Sequence, residues 1–190
     1  MTTSIASAFS SSRTRKRDGT AWNKVVRPIE EWLALIESSS GTLSVESTRI
    51  LDASMKHSKT LRDLLILSML GNEECRNSER IRTVLENPDA PSSAQIITNN
   101  LDEAFAHATD LEMRRRCNRG LAILEYAIEH AGPLQGTALL AIITYLKWWM
   151  GDRSAFIWAQ ACLKRDSHCT MAAIILTALE EDMFPAQCED

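Results

Sequence analysis

The chain has 190 residues, 45% hydrophobic and 24% charged, with a formal net charge of −4. That balance suits one globular core and excludes an uncompacted polyelectrolyte. Only 7 Gly and 5 Pro interrupt it, which favours helices over tightly turning strands. Five cysteines, Cys75, Cys117, Cys162, Cys169 and Cys188, are odd in number and scattered without a CxxC pair, so a disulfide framework is not expected and a reducing, cytoplasmic setting is.

Met1 to Ser12 carries no basic segment ahead of a long apolar core, so no secretory signal is expected. Arg13, Arg15, Lys16, Arg17, Lys24 and Arg27 stand against Asp18 and Glu30 in the first part of the chain. Residues 1–20 read as a basic arm, disordered in isolation because Ser and Thr leave little apolar surface to bury. The expected organisation is this arm, one all-helical domain over residues 21–185, and an acidic tail over residues 186–190.

Within the domain, Val25, Val26, Ile29, Trp32, Leu33 and Ile36 repeat at helical spacing until "SSSG" at Ser38 to Gly41 stops them. A second helix is expected from about Ser44 to Lys56 and a third from Thr60 to Leu70. The third is so rich in leucine that it belongs at the centre of the core. Gly71 suits a left-handed position after it, and Asn72 a following turn. One polar helix is expected over Glu73 to Glu86, then a break at "NPDAPSS", Asn87 to Ser93.

Helical spacing resumes through Ile96, Ile97, Leu101, Ala104, Phe105 and Ala108, and again from Leu111 to Ile128, where Gly132 and Pro133 end it. Leu134, Ala138, Ile142, Tyr145 and Trp149 form one stripe of the next helix, while Leu139, Ile143, Leu146 and Met150 form a second. The stretch Ala138 to Met150, broken by Thr144 and Lys147, falls short of the roughly 20 residues of a membrane span. It reads as a helix covered on both faces. Gly151 in the left-handed conformation and Asp152 as a cap make a tight hairpin to a helix with Ala155, Phe156, Ala159, Cys162 and Leu163. Asp166 or Ser167 caps a last helix through Ala172, Ile175 and Leu179, which ends before Pro185. No sustained period-two alternation is present, so no sheet is expected.

The fold expected is all-α, a helical bundle or short array of antiparallel helical hairpins. The spacing of Trp148, Gly151, Asp152, Leu163 and Asp166 resembles the tetratricopeptide pattern of stacked hairpins of about 34 residues. "LRDLLILSMLG" at Leu61 to Gly71 opens a wider resemblance, followed by Trp148-x-x-Gly151-Asp152, Asp166, Met171-Ala172, Ile174-Ile175, Leu179 and Pro185. These resemble the C-terminal half of the largely actinobacterial domain of unknown function 4192 family. Ser167 stands where that family usually has proline, and the basic arm stands where its members have a longer N-terminal portion. The resemblance implies a helical fold and no particular reaction.

His57, His107, His130 and His168 are spread among segments with no nucleophile or carboxylate motif beside them, and no Walker loop, GxSxG, HExxH or GxGxxG occurs. Cys162, His168 and Cys169 are the only metal-like grouping, without a second half at finger spacing. No catalytic residue, cofactor or metal is therefore assigned. Arg62 and Asp63 read as a cap or structural ion pair, and with Trp148 and Trp158 as candidate contacts for a protein partner, a second copy of the chain included. Arg13, Arg15, Lys16 and Arg17 with the flank Arg115, Arg116 and Arg119 are the candidate contacts for nucleic acid. A non-enzymatic helical interaction module is the leading expectation, an accessory nucleic-acid-binding protein the alternative, and no membrane is expected as a partner.

Overall fold

The structure, a computed structural model, describes residues 20–106, 110–130 and 136–185. Residues 1–19 of the basic arm, the acidic tail with Cys188, His107, Ala108, the stop at Gly132 and Pro133, and Leu134 lie outside the described residues, while Thr20 already belongs to the first helix. Among the described residues the fold is all-helical, with nine α-helices and no strand. The break at Asn87 to Ser93 separates helices and not domains, because one core cluster runs from Trp22 to Ala178. None of these helices is long and apolar enough to cross a membrane.

Helix α1, Thr20–Glu37, packs on α2, Val45–Met55. The junction is held by Glu31, whose carboxylate accepts from the Ser44 N–H at 2.6 Å and from the hydroxyls of Ser44 and Ser47. Burial pushes the Glu31 carboxyl up, but those donors outweigh it and hold it below the ordinary range. Ser44 itself caps α2 by accepting from the Ser47 N–H at 3.2 Å.

Helix α3, Lys59–Leu70, is capped by Ser58 and buried at every position from Leu61 to Leu70. A helix with no solvent face needs neighbours all round, and α3 has them in α2, α4 (Ser78–Glu86), α5 (Pro91–Ala106), α6 (Leu111–His130) and α7 (Thr137–Trp149). From α1, the Trp32 indole N–H reaches the Ser68 hydroxyl at 2.9 Å in the interior.

Two expectations fail just beyond α3. Gly71 is extended, with φ −83° and ψ 178°, and not left-handed. Its glycine is required by space, since a Cβ there would lie 2.4 Å from the Cys75 sulfur. The single helix expected over Glu73 to Glu86 is also divided, into a 3₁₀ turn, Glu73–Arg76, and α4. Asn77 makes the division, because its side chain accepts from the Arg80 N–H at 3.0 Å and so starts a new helix.

Helix α7 is buried from Leu139 to Leu146 and again at Trp148 and Trp149. Its cover comes from α2, α3, α6, α8 (Ala155–Arg165) and α9 (Thr170–Glu180). It closes as expected. Gly151 has φ 77°, its N–H meets the Trp148 carbonyl at 3.0 Å, and the Asp152 N–H meets the Lys147 carbonyl at 2.8 Å, the paired bonds of a Schellman motif. The caps of α8 and α9 differ from expectation. Asp152 and Asp166 accept from the N–H groups of Ser154 and His168, which tightens the turns, whereas the capping positions fall at Ser154 and Cys169.

The start of α7 is served from far away in sequence. Gly136 precedes it with φ 90° and no side chain to cap with. Buried Asp52 of α2 supplies the acceptor, its carboxylate taking the Ala138 N–H at 3.0 Å while Lys56 holds the other oxygen at 3.2 Å. Asp52→Ala is expected to lower the unfolding free energy by about 1–2 kcal/mol, as for a lost helix cap, with Asp52→Asn retaining part of it. Urea melts of the variants check this.

Candidate functional site

Arg62 and Asp63 are both buried, near the start of α3. The guanidinium donates to one Asp63 oxygen through Nε at 3.0 Å and Nη2 at 2.8 Å. Burial pushes the Asp63 carboxyl up, against the pull of Arg62. The phenol of buried Tyr145 is pushed well above its ordinary range, first by burial and then by the Asp63 carboxylate. Adjacent residues of one helix can pair in this way only when both side chains bend to the same side. Halving such a pair typically costs about 3–5 kcal/mol, because the remaining charge is left buried. Neither group presents itself to a partner.

The tryptophans divide. Trp149 is fully buried, as expected of its stripe. Trp148 is only 3% exposed, and its indole N–H donates to the Met183 carbonyl at 2.8 Å. That bond ties the end of α7 to the segment after α9, so Trp148 cannot anchor a partner. Trp158 is half-buried, with the Lys147 ammonium 5.9 Å from its ring centroid, a cation–π arrangement. Lys147 also pairs with Glu125 of α6 at 3.0 Å and with Asp152 at 3.2 Å. Although burial works against it, those two carboxylates raise the Lys147 pKa.

Large apolar side chains remain in the open around this C-terminal unit. Ile157 is 67% exposed, and Phe156, Ile174 and Met183 are exposed as well. They belong to α8, α9 and the segment after it. Sequence periodicity assigned Phe156 to the packed face of α8 and left Ile157 without a role. The signal that finds them is the excess of apolar residues in α8 and α9 over what two packing faces can take.

The basic flank of α6 is mostly turned inward. Arg119 donates through Nε to the Leu35 carbonyl at 3.1 Å and through Nη2 to the Gly41 carbonyl at 2.7 Å. Arg116 reaches the Gly71 carbonyl at 3.4 Å. Arg76 joins it there, meeting the Gly71 carbonyl at 3.0 Å and the Asn72 carbonyl at 3.1 Å, while its Nε faces Glu37 at 2.9 Å. Burial, and then the charge of Arg116, lower the Arg76 pKa. These guanidinium groups therefore sit on the C-terminal ends of α1 and α3, where unpaired carbonyls and the negative dipole end favour cations. Arg115 is different, 70% exposed beside Glu112 at 3.7 Å. The expected phosphate-binding flank is thus corrected to one exposed arginine and two that serve helix ends. Arg13, Arg15, Lys16 and Arg17 lie outside the described residues.

Of the metal-like grouping, Cys162 is buried with its thiol on the Thr137 carbonyl at 3.6 Å, Cys169 is partly buried at the start of α9, and His168 is exposed. Among the described residues no group of three or more His, Cys, Asp or Glu side chains is placed to hold a metal ion. His130 stacks on Tyr126 with ring centroids 3.9 Å apart, and its Nδ1 lies 2.8 Å from the Tyr126 carbonyl. These two line an open hollow of about 190 Å³ with Leu43, Ser44, Val45 and Thr48.

Arg119→Leu is expected to destabilise the fold by about 1.5–3 kcal/mol, the range for hydrogen bonds made by a charged donor. Arg115→Leu should leave stability within about 0.5 kcal/mol. Parallel chemical melts of the two variants make the comparison. Comparison of the chain with protein-family models, with curated proteins and with solved structures gives no match.

Proposed function

We propose that this chain is a non-enzymatic helical interaction module of tetratricopeptide-like shape, and that the outward side of its C-terminal hairpin receives a protein partner. The observation that carries the reading is the exposure of Ile157, Phe156, Ile174 and Met183 on the consecutive elements α8, α9 and the segment after it, whereas the other exposed large apolar residues, Val45, Phe105, Leu111 and Tyr126, are distributed over α2, α5 and α6. Single exposed apolar residues are ordinary, but several on neighbouring elements mark interaction surfaces. Half-buried Trp158 lies in the same unit, with an aromatic ring that costs little conformational entropy to bury.

The alternative, nucleic-acid binding, rests mainly on Arg13, Arg15, Lys16 and Arg17, since Arg116 and Arg119 are already bonded to carbonyls. Arg62 and Asp63 are buried against each other in α3 and Trp148 is bonded to the Met183 carbonyl, so none of the three belongs to the proposed contact surface.

Size-exclusion with light scattering, run over a wide concentration range, followed by capture from a lysate on wild type and on Ile157→Glu, separates the readings. The proposal expects a self-association or a captured protein that Ile157→Glu removes while its melting temperature is unchanged. A shift induced instead by duplex or single-stranded DNA, abolished by salt and by deletion of residues 1–20, would transfer the function to nucleic acid.

A further inference from the structure

The outward sides of α8 and α9 carry no charge along their middles. From Ser154 to Leu163 and from Thr170 to Leu179 there is no Asp, Glu, Lys or Arg. What these stretches expose is Phe156, Ile157 and Gln160 on α8 and Ala173, Ile174 and Thr177 on α9. A helix whose outer side is simply solvated looks different, as α4 does in exposing Glu79, Arg80 and Arg82. Depletion of charge from the middle of a patch, with charge kept at its edge, is the compositional mark of a protein–protein contact.

The charges at the two ends of the hairpin differ in sign. Helices α8 and α9 are joined by the short turn Asp166 to Cys169, and Arg153 ahead of α8 pairs with Asp182 after α9, so the two run antiparallel. The turn end is positive, with Lys164 and Arg165 against Asp166. The other end is negative, with Glu180, Glu181 and Asp182 against Arg153. Lys164, Glu180 and Glu181 are exposed, and none of the three joins an ion pair among the described residues.

We propose that the occupant of this surface is a second copy of the chain, turned end for end about a two-fold axis, so that Lys164 of each copy faces Glu180 and Glu181 of the other. The inference rests on the reading of the outward hairpin as a protein contact and names its partner. A face with ends of opposite sign complements itself only in this orientation, because a parallel copy would set like charges together. The two-fold axis makes each attraction twice and lays the uncharged middle on its own counterpart. A pair of eleven-residue helices is about 16 Å long and about 20 Å across. That places the contact at the small end of specific interfaces, and the association in the micromolar range.

Sedimentation velocity of the full chain, from low micromolar to near-millimolar protein, should show a monomer–dimer equilibrium weakened by added salt. A carbodiimide, which joins an amine to a carboxylate in direct contact, should link Lys164 to Glu180 or Glu181 in the dimer alone, since those residues stand at opposite ends of one hairpin. Ile157→Glu should weaken the dimer at least about a hundredfold with an unchanged melting temperature. Lys164→Glu, and separately Glu180→Lys with Glu181→Lys, should each weaken it about tenfold. Mixing those two charge variants should restore association, because only the mixed dimer has opposite charges at both ends. A dimer that Ile157→Glu leaves intact, or a mixture that associates no better than either variant alone, would overturn the proposal. A monomer at every concentration would overturn it as well. If that monomer captures another protein through Ile157, the contact surface stands and the second copy falls; if it captures nothing, both fall. An intramolecular link from Lys16 to Glu180 or Glu181 would instead give the surface to the chain's own basic arm.

Discussion

Among the described residues two helices are buried on every side over most of their length, and the rest of the architecture is arranged to cover them. Helix α3 is buried through ten successive residues, Leu61 to Leu70, and α7 through the eight from Leu139 to Leu146. Each fully buried leucine or isoleucine is worth about 1.5–3 kcal/mol, so leaving either helix open on one side would forfeit much of the stability of a domain. Helices α2 and α6 contact both of them, which joins the two halves of the chain into one core. The remaining helices supply the outer layer.

Enclosing two helices raises a second problem, the polar ends and side chains that go in with them. Unpaired carbonyls and N–H groups in the interior are costly, and partners arrive from distant parts of the chain. Asp52 serves the start of α7, and Arg119, Arg116 and Arg76 serve the ends of α1 and α3. Arg62 with Asp63, Trp32 with Ser68, and Thr144 with the Leu140 carbonyl are likewise paired inside. Arg62, Asp63, Arg116 and Arg119, all singled out in the sequence, are thereby consumed by the fold. Exposed Ile157, Phe156, Ile174 and Met183 of the C-terminal elements are not consumed in this way.

The local features were legible in the sequence because their signals are local. Two apolar stripes on one helix announced the double burial of α7, and Trp148-x-x-Gly151-Asp152 announced its left-handed stop. The misreadings share a cause in distance or competition. The role of Arg119 depends on carbonyls 84 and 78 residues away, and no periodicity carries that information. Gly71 was assigned a dihedral role when its constraint is the neighbouring Cys75 sulfur. Asn77 looked like one more polar helix residue, yet its side chain competes with the backbone and divides the segment. At the candidate surface, the sequence offers Trp148 as a partner contact as well as a core residue, and only the fold shows its indole bonded to the Met183 carbonyl.

If α3 and α7 are the framework on which the other helices depend, their backbone should open only when the whole protein does. Native-state hydrogen exchange across a series of low urea concentrations measures this directly. Amides of Leu64 to Leu70 and of Ile142 to Leu146 should exchange with the free energy and urea dependence of global unfolding, while those of α4 and α8 exchange through smaller openings. Exchange of α3 or α7 ahead of the outer helices would contradict this account.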